Sequence, residues 1–416
     1  MRVLAAVIVP PHLSVSGGAR AAEQLSAALA PYCDIMVASM MNGTGTQTHG
    51  AGPLLRRRQV RSALPPLLPW SWLPNRYATL FYRSDIPRLV AEGHDIVHLH
   101  NPMPALEFGR IARACRARGT PYVISTHGFN EVANGGTIYG FDAARRQVWQ
   151  QLVYAPVARA VRGAAAVFAL SPADIEIVRG MGFAGSIVVV NNGVDLPPLS
   201  APQAIAGDAA PQDAEILAKF GIPPDAHGIR CMFLANHTAN KGLPDLLAAF
   251  GKLEIPFTLV VGGERRDTVD YGGHLRPGRQ DQRIIVTGRL SDTEVAALFR
   301  QSDLFVFPTL ADTFPLVVLE AMSHGVPVLA SRVGGIPYQI DEGSGVLVPP
   351  GDPGALAAAV ERLAAETDRL RQMGRHARAR VAAEFTWQRA ADRAMEGYRA
   401  VLCRHRGGVK VSSRVD

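Results

Sequence analysis

The sequence predicts an α/β protein built from two doubly wound domains of similar size. Short apolar runs alternate with helical patterns in the first half of the chain, and the alternation restarts in the second half. A stretch rich in Pro and Ala, without any period, separates the halves. Continuous apolar strands separated by helices indicate parallel sheets that are covered on both faces. The 416 residues are enough for two or three domains of roughly 100–200 residues each.

The predicted elements follow in order along the chain. Residues 1–198 form the first domain, 199–214 a linker, 215–385 the second domain, 386–404 a terminal helix that packs back on the first domain, and 405–416 a tail. Two such domains would face a central cleft lined by the carboxyl ends of their strands. The expected strands are Val3–Val9, Ile35–Ala38, Asp95–Leu99, Tyr122–Ser125, Ala166–Leu170, Ile187–Val190, Cys231–Ala235, Phe257–Val261, Ile284–Thr287, Leu304–Phe307, Val326–Ala330 and Val346–Val348, and the expected helices include Pro244–Phe250, Asp292–Arg300 and Pro353–Ala383.

Composition and cysteine usage argue against several classes of protein. With 48% hydrophobic and 19% charged residues, the chain is globular and not disordered. No run reaches about 18 uncharged apolar residues, the length that crosses a membrane. The run Val3–Val9 leads into Pro10 without a small-residue cleavage site, which indicates a strand and not a signal peptide. The four cysteines form no C-x-x-C, which fits a reducing, cytoplasmic compartment.

The net charge of +7 lies entirely in the first half of the chain. Residues 1–200 contain 18 Arg, no Lys and 11 acidic residues, whereas the remainder is balanced. This excess indicates an anionic partner, which could be a membrane surface, a phospholipid-linked substrate or nucleic acid. A general enrichment in Arg would explain the same excess without any partner.

The loop and helix around Asp312 carry the most informative motif. Pro315 suits the first position of a helix, and the amides of Leu316 and Val317 would then lie at a helix N-terminus, where anions bind. Glu320 lies one turn later among apolar neighbours. A carboxylate there requires hydrogen bonds, for which sugar or ribose hydroxyls are suitable donors. A structural cap or an ion pair is the alternative interpretation.

Three further segments lie at predicted strand ends. Lys241 precedes Gly242 after a strand and can reach a phosphate, although a solvated surface Lys is the alternative. Gly17 and Gly18 precede a helix and allow a close approach of the backbone to an anion, although a tight turn fits equally well. His127 follows a strand and would face the cleft, or would be a hydrogen-bonded strand end.

Other patterns narrow the chemistry further. His98 and His100 alternate on one strand face, where packed or hydrogen-bonded strand-end residues are the favoured interpretation. D-x-D, H-E-x-x-H, P-loop, G-x-S-x-G and G-x-G-x-x-G motifs are all missing. Their absence argues against metal-dependent sugar transfer, metallohydrolases, P-loop kinases, α/β-hydrolases and a dinucleotide fingerprint.

The order and spacing of these motifs resemble glycosyltransferase family 4, whose members have the GT-B fold and transfer sugars with retention of configuration. The resemblance covers nearly the whole chain. It runs through Gly17–Ala19, Asp95–Pro102, Thr126–Gly128, Ser171–Asp174, Asn192–Asp195, Lys241–Gly242, Gly288–Leu290, Phe314–Met322, Gly325–Leu329 and Gly334–Pro337.

The resemblance implies a role for each matching residue. Lys241 would meet the donor phosphates, Glu320 would hold the donor ribose, and Asp312 would lie near the donor sugar. His127 would contact the transferred sugar. The other residues that the resemblance places in donor binding are Gly17 and Gly18 at the diphosphate, Arg289 and Leu290 at the base, and Phe314, Pro315, Leu316 and Val317 at the sugar and phosphate.

Three positions depart from the family pattern. Asn236 stands in the donor site where the family usually has Arg, and Arg20 stands where an acidic residue is usual. Asp312 occupies a position where Glu is more frequent. We expect Arg20 to replace part of the charge that is missing at Asn236.

The implied reaction is transfer of a sugar from a nucleotide sugar to a hydroxyl of a glycan or lipid-linked acceptor. It would use no metal and no other cofactor, and nucleic acid is not an expected partner. A phosphorylase or an epimerase would be another enzyme with the same fold. A non-catalytic protein that binds nucleotide sugars is the alternative from a different class.

The segment Arg56–Arg88 predicts contact with an anionic membrane. It holds seven Arg against one acid, Asp85, and includes Trp70 and Trp72. Aromatic rings and cations suit a lipid headgroup layer, so we expect a cytoplasmic enzyme at the inner face of the membrane. A proline-rich loop with solvated arginines is the alternative.

Overall fold

The structure, a computed structural model, divides the chain into two compact units. Unit 1 comprises Met1–Gly193 and Trp387–Asp416, and unit 2 comprises Val194–Thr386. The described residues are 1–10, 16–42, 46–50, 55–65, 78–198, 211–223, 227–266, 268–274 and 278–409. Among them, no helix is both long and apolar enough to cross a membrane.

The passage from unit 1 to unit 2 falls earlier than the expected boundary at residue 198. Val194 and Thr386 form an isolated bridge, and the Val194 N–H donates to the Phe385 carbonyl at 2.9 Å. These bonds fix Val194 to unit 2, so the boundary lies between Gly193 and Val194. Most of the linker expected at 199–214 lies outside the described residues.

Unit 1 contains one sheet that is parallel except at one edge. Its strands are β1 Arg2–Val7, β2 Asp34–Asn42, β3 Thr46–Gly50, β4 Leu55–Ala63, β5 Arg83–Ser84, β6 Ile96–His100, β7 Tyr122–Ser125, β8 Ala166–Ala169 and β9 Ser186–Val189. Their order is β3-β4-β2-β1-β6-β7-β8-β9, and β5 also pairs with β4. The pairings of β4 with β3 and β5 are antiparallel, so the expectation of a purely parallel sheet is wrong at this edge. The strands β6 and β7 are buried at every position, as the continuous apolar runs predicted.

Helices cover this sheet. They are α1 Gly17–Leu29, α2 Ile86–Leu89, α3 Ala105–Ala117, α4 Phe129–Ile138, α5 Ala143–Trp149, α6 Ala155–Arg162 and α7 Ala173–Gly180, and α15 Trp387–Val409 returns from the end of the chain. α15 packs against α1, β8 and β9. It continues to Val409, so the tail expected from residue 405 is helical in its first five residues.

In the part of unit 2 that the structure describes, the strands form a parallel sheet. Its strands are β10 Ile229–Leu234, β11 Phe257–Gly262, β12 Gln282–Gly288, β13 Leu304–Phe307, β14 Val328–Ser331 and β15 Gly345–Val348, in the order β12-β11-β10-β13-β14-β15. Its helices are α8 Pro211–Lys219, α9 Leu243–Phe250, α10 Asp292–Arg300, α11 Leu316–Ser323, α12 Ile336–Gln339, α13 Pro353–Ala364 and α14 Thr367–Glu384. The single helix expected over Pro353–Ala383 is wrong, because the chain leaves helical geometry at Glu366 and a new helix begins.

Each sheet has one point where the strand order reverses. In unit 1, β1 lies between β2 and β6, and in unit 2, β10 lies between β11 and β13. The loops that follow two such central strands diverge to opposite faces and leave a crevice at the carboxyl edge. The loops after β1, β6, β10 and β13 are therefore the places to look for a functional site.

Candidate functional site

The crevice of unit 2 brings together two residues that the sequence predicted separately. Lys241 lies in the loop after β10, and Asp312 lies in the loop after β13. The Lys241 Nζ atom lies 2.9 Å from both carboxylate oxygens of Asp312. Both side chains are mostly covered, with 24% and 16% of their surface exposed. Thr309, which is fully buried, donates from Oγ1 to Asp312 Oδ2 at 2.8 Å and fixes the carboxylate.

Two glycines hold these loops in place. Gly242 has φ +73°, and a Cβ there would lie 1.8 Å from the Pro308 carbonyl oxygen. Gly334 has φ +52°, and its Cβ would lie 1.8 Å from the Asp312 carbonyl oxygen. No side chain fits at either position, and L-residues avoid this region of φ. The backbones of Gly242 and Gly334 therefore pack directly against the loop that carries Asp312 and fix its shape.

The helix α11 begins directly after this loop. Pro315 is extended and precedes the helix, which starts at Leu316 and not at Pro315. The Pro315 carbonyl accepts a hydrogen bond of 3.0 Å from the Gln339 side chain, and Phe314 is buried against Phe385. The amides of Leu316 and Val317 occupy the first turn, where N–H groups have no partner within the helix and anions bind. Glu320 is half-buried one turn further along α11.

The residues predicted to bind the base lie on the neighbouring strand ends. Arg289 is exposed and pairs with Glu264 at 3.3 Å, and Glu264 also accepts from Arg266 at 2.9 Å. Leu290 lies close to Gly262, where a Cβ would approach it to 2.9 Å. Asn236 is exposed at the end of β10. The structure thus places the loops after β10, β12 and β13 and the start of α11 at the carboxyl edge of one sheet.

Gly17 and Gly18, beside the crevice of unit 1, have different surroundings. A Cβ at Gly18 would lie 2.3 Å from the Asn101 side-chain nitrogen, whereas Gly17 has open space around it. A side chain at Gly18 would therefore require the Asn101 side chain to move, whereas Gly17 is exposed. Ser16 caps α1 by accepting from the Ala19 N–H at 3.3 Å.

Three histidines cluster beside this crevice. His98 and His100 at the end of β6 are fully buried with ring centroids 3.8 Å apart, and His127 lies 5.9 Å beyond His100. His127 Nε2 lies 3.1 Å from Asn192 Oδ1. Among the described residues, His127 Nδ1, both ring nitrogens of His100 and Asn101 Oδ1 have no hydrogen-bond partner. Unpaired buried polar atoms of this kind are rare and often mark functional sites.

Burial keeps the histidines uncharged. It lowers the pKa of His98 to about 3 and that of His127 to about 4, and it lowers the pKa of His100 well below its usual value. Nearby histidines lower the pKa values of His98 and His100 further. At neutral pH the cluster can therefore exchange hydrogen bonds with neutral hydroxyls.

Asp174 fixes the segment that leads to His127. Its Oδ2 accepts from the Thr126 hydroxyl at 2.6 Å and from the Leu170 N–H at 3.0 Å. Burial raises the pKa of Asp174 to about 6, although these hydrogen bonds lower it in part. Sequence analysis did not give this carboxylate a role, because its partners lie on two other strand ends.

Two family models match the chain. The model described as Glycosyltransferase Family 4 matches residues 15–197, and the model described as Glycosyl transferases group 1 matches residues 228–366. D-inositol 3-phosphate glycosyltransferase 1 of Catenulispora acidiphila is 30% identical over 333 residues, 76% of this chain and 74% of that protein. The matched share of the curated relatives ranges from 26% to 95% of their length.

Solved structures show the same fold. Sucrose-phosphate synthase of Thermosynechococcus elongatus superposes with a TM-score of 0.71 at 21% identity, covering 97% of this chain and 100% of that one. Anabaena HepE in complex with UDP-glucose gives 0.66 at 18% identity, covering 96% and 100%. The two parallel-sheet, Rossmann-like units thus define a protein of the GT-B class. The chain belongs to glycosyltransferase family 4, and it is a glycosyltransferase.

Replacing Gly334 with Ala should displace the Asp312 loop. The new Cβ would meet the Asp312 carbonyl, and the backbone conformation alone costs about 1–2 kcal/mol. We expect a lower melting temperature together with loss of enzymatic activity. Gly351→Ala is the matched control, because Gly351 has φ +69° with nothing within 4 Å. Equal effects of the two changes on stability and activity would contradict the role given to Gly334.

Replacing Asp174 with Asn should remove one pH dependence of stability. The pKa of about 6 in the folded state exceeds the ordinary 3.8, so the folded protein binds more protons between these values. Wild-type stability should therefore fall relative to Asp174→Asn as pH rises from about 3 to about 7, by an amount on the order of 3 kcal/mol, and stay level above pH 7. Denaturant unfolding at several pH values measures this difference. A difference that does not change with pH would exclude the raised pKa.

Proposed function

We propose that unit 2 binds a nucleoside diphosphate sugar and that the enzyme transfers the sugar with retention of configuration. The observation that carries this proposal is the Lys241–Asp312 pair at the reversal point of the sheet, beside the first turn of α11. A cation, free helix amides and a carboxylate within one crevice suit a diphosphate joined to a polyol. The HepE complex with UDP-glucose is consistent with this class of donor.

The proposed roles of the residues follow from the negative charge that develops on the leaving diphosphate. As the bond from the sugar to the diphosphate breaks, negative charge grows on the leaving phosphate, where Lys241 and the amides of Leu316 and Val317 can stabilise it. Asp312 and Glu320 would accept hydrogen bonds from sugar and ribose hydroxyls. Lys241 would take the part that a metal plays in other transferases, so we propose a reaction without metal.

Binding of the diphosphate must compete with Asp312 for Lys241. In the structure the lysine is already paired with this carboxylate. A donor brings a phosphate for the lysine and hydroxyls for the carboxylate, so both partners of the pair would be satisfied at once. A free nucleoside diphosphate would satisfy only the lysine, which favours binding of the donor over that of the product.

Unit 1 would then receive the acceptor. The neutral histidine cluster and the exposed Gly17 suit hydroxyl and phosphate groups. We propose that they bind the acceptor, in place of the contacts with the transferred sugar and the donor diphosphate that the resemblance implies for His127 and Gly17. A glycan has hydroxyls, and a glycan linked to a lipid through phosphate has both groups. The curated relatives include a putative teichuronic acid biosynthesis glycosyltransferase of Bacillus subtilis. We propose an acceptor of this class, as part of the synthesis of an envelope polysaccharide.

We also propose that part of the segment Arg56–Arg88 contacts the cytoplasmic face of a membrane. Trp70 and Trp72 lie outside the described residues. Arg56 pairs with Asp34 at 3.1 Å, and Arg57 and Arg58 face acidic partners as well. Among the described residues, the exposed basic side chains near this edge are Arg61, Arg83 and Arg88, of which Arg88 pairs with Asp85 at 3.4 Å.

Replacing Lys241 with Ala should weaken transfer strongly. Loss of one charge donor at the leaving group costs about 3–4 kcal/mol, or roughly two to three orders of magnitude in kcat. Turnover of UDP-glucose and GDP-mannose with a panel of glycan acceptors measures it. Lys219→Ala is the control, because Lys219 also pairs with a carboxylate, Glu294, but its own side chain is 62% exposed. Activity of Lys241→Ala within threefold of the control would exclude this role, and binding without any turnover would favour a non-catalytic binding protein.

Vesicle flotation tests the membrane contact. With phosphatidylglycerol vesicles at low salt, we expect the protein to float, because each exposed Arg near the surface contributes about 1 kcal/mol. Replacing Arg61, Arg83 and Arg88 with Gln should abolish flotation without loss of activity on a soluble acceptor. Flotation that is unchanged by the replacements would exclude this surface.

A further inference from the structure

The terminal helix α15 contacts the histidine cluster through one side chain. Tyr398 is fully buried, and its hydroxyl lies 2.7 Å from His98 Nδ1, 300 positions earlier in the chain. Gly397 allows this approach, because a Cβ there would lie 2.6 Å from the Phe168 ring. Phe168 packs on both partners, with ring centroids 5.2 Å from His98 and 5.6 Å from Tyr398. These contacts fix the position of the helix along β6 and β8.

Two hydroxyl groups hold the ring of His98. The Tyr398 hydroxyl lies 2.7 Å from Nδ1, and the Ser125 hydroxyl lies 2.8 Å from Nε2. A neutral imidazole donates from one ring nitrogen and accepts at the other, so the two hydroxyls together select one tautomer. Burial raises the pKa of Tyr398 well above its ordinary value, which keeps its hydroxyl protonated. His98 is thus held at both ring nitrogens.

The position of His98 determines that of its neighbour. The ring of His100 is tilted by 34° against His98 at 3.8 Å. Neither nitrogen of His100 has a hydrogen-bond partner among the described residues, so packing on His98 orients it. His127 follows at 5.9 Å from His100. A contiguous set of rings therefore connects the terminal helix to the strand end that precedes α4.

We propose that Tyr398 is a positioning residue for sugar transfer, which fixes the tautomer and tilt of His98 and, through His100, the placement of His127. This inference rests on the proposed function, in which the histidine cluster binds substrate hydroxyls. Tyr398 would then contribute to the reaction through its hydrogen bond to His98, and not only through packing of the terminal helix.

Tyr398→Phe tests the proposal, because it keeps the ring and removes the hydroxyl. We expect kcat to fall about 3- to 10-fold, the effect of one lost neutral hydrogen bond, while the donor KM stays within about twofold. Val401→Ala is the control on the same helix, since Val401 is buried and has no hydrogen bond to give up. Long-range proton–nitrogen NMR spectra of histidine-labelled protein, with His98 assigned from a His98→Gln variant, report the tautomer. Wild type should show a single tautomer of His98, and Tyr398→Phe a mixture of both.

Two results would overturn the inference. One is a Tyr398→Phe enzyme that loses no more activity than Val401→Ala at the same loss of melting temperature. The other is a His98 tautomer that is unchanged by Tyr398→Phe. A wild-type protein that transfers no sugar from any donor tested would instead reject the proposed function, and that result is distinguishable because it involves no variant.

Discussion

The close approach of two carbonyls to two glycines is the constraint on which the proposed donor site depends. The Pro308 carbonyl occupies the space of a Cβ at Gly242, and the Asp312 carbonyl occupies that at Gly334. The loop after β13 is thereby fixed against the loop after β10 at the reversal point of the sheet. Because this backbone is fixed, Lys241 meets Asp312 and the first turn of α11 lies beside them. The site is thus organised before any substrate binds, as electrostatic stabilisation of a leaving group requires.

Unit 1 uses a different principle. Its crevice is bordered by neutral, buried imidazoles and by amide and hydroxyl groups. Such groups bind hydroxyls without a strong preference for one charge state of the substrate. Asp174 and Tyr398 support this region through different residues, the former through Thr126 and the latter through His98. The division of labour is physically consistent, because a diphosphate needs charge whereas a sugar hydroxyl needs directed neutral hydrogen bonds.

Much of the fold was predictable from local patterns, and parts of the site were not. The predicted strands with continuous apolar runs, such as Tyr122–Ser125 and Leu304–Phe307, match the structure. A strand that is buried on both faces needs apolar side chains at nearly every position, so its sequence is easy to recognise. The strand Leu55–Ala63 was missed, since its four arginines hide the pattern and find their acids on distant segments. Lys241 and Asp312 were identified by motif, but their direct pairing depends on Gly334 and could not be read from spacing. The bond from Tyr398 to His98 joins residues 300 positions apart and leaves no local signal.

Hydrogen exchange of the backbone amides with and without UDP-glucose tests the central claim most directly, because it locates the donor in the intact enzyme. The account predicts slower exchange in residues 240–243 and 313–318, where the lysine loop and the first turn of α11 lie. The same segments should be unaffected by glucose alone, which lacks the diphosphate. Turnover of the donor with unchanged exchange in both segments would contradict the assignment of the donor site to unit 2.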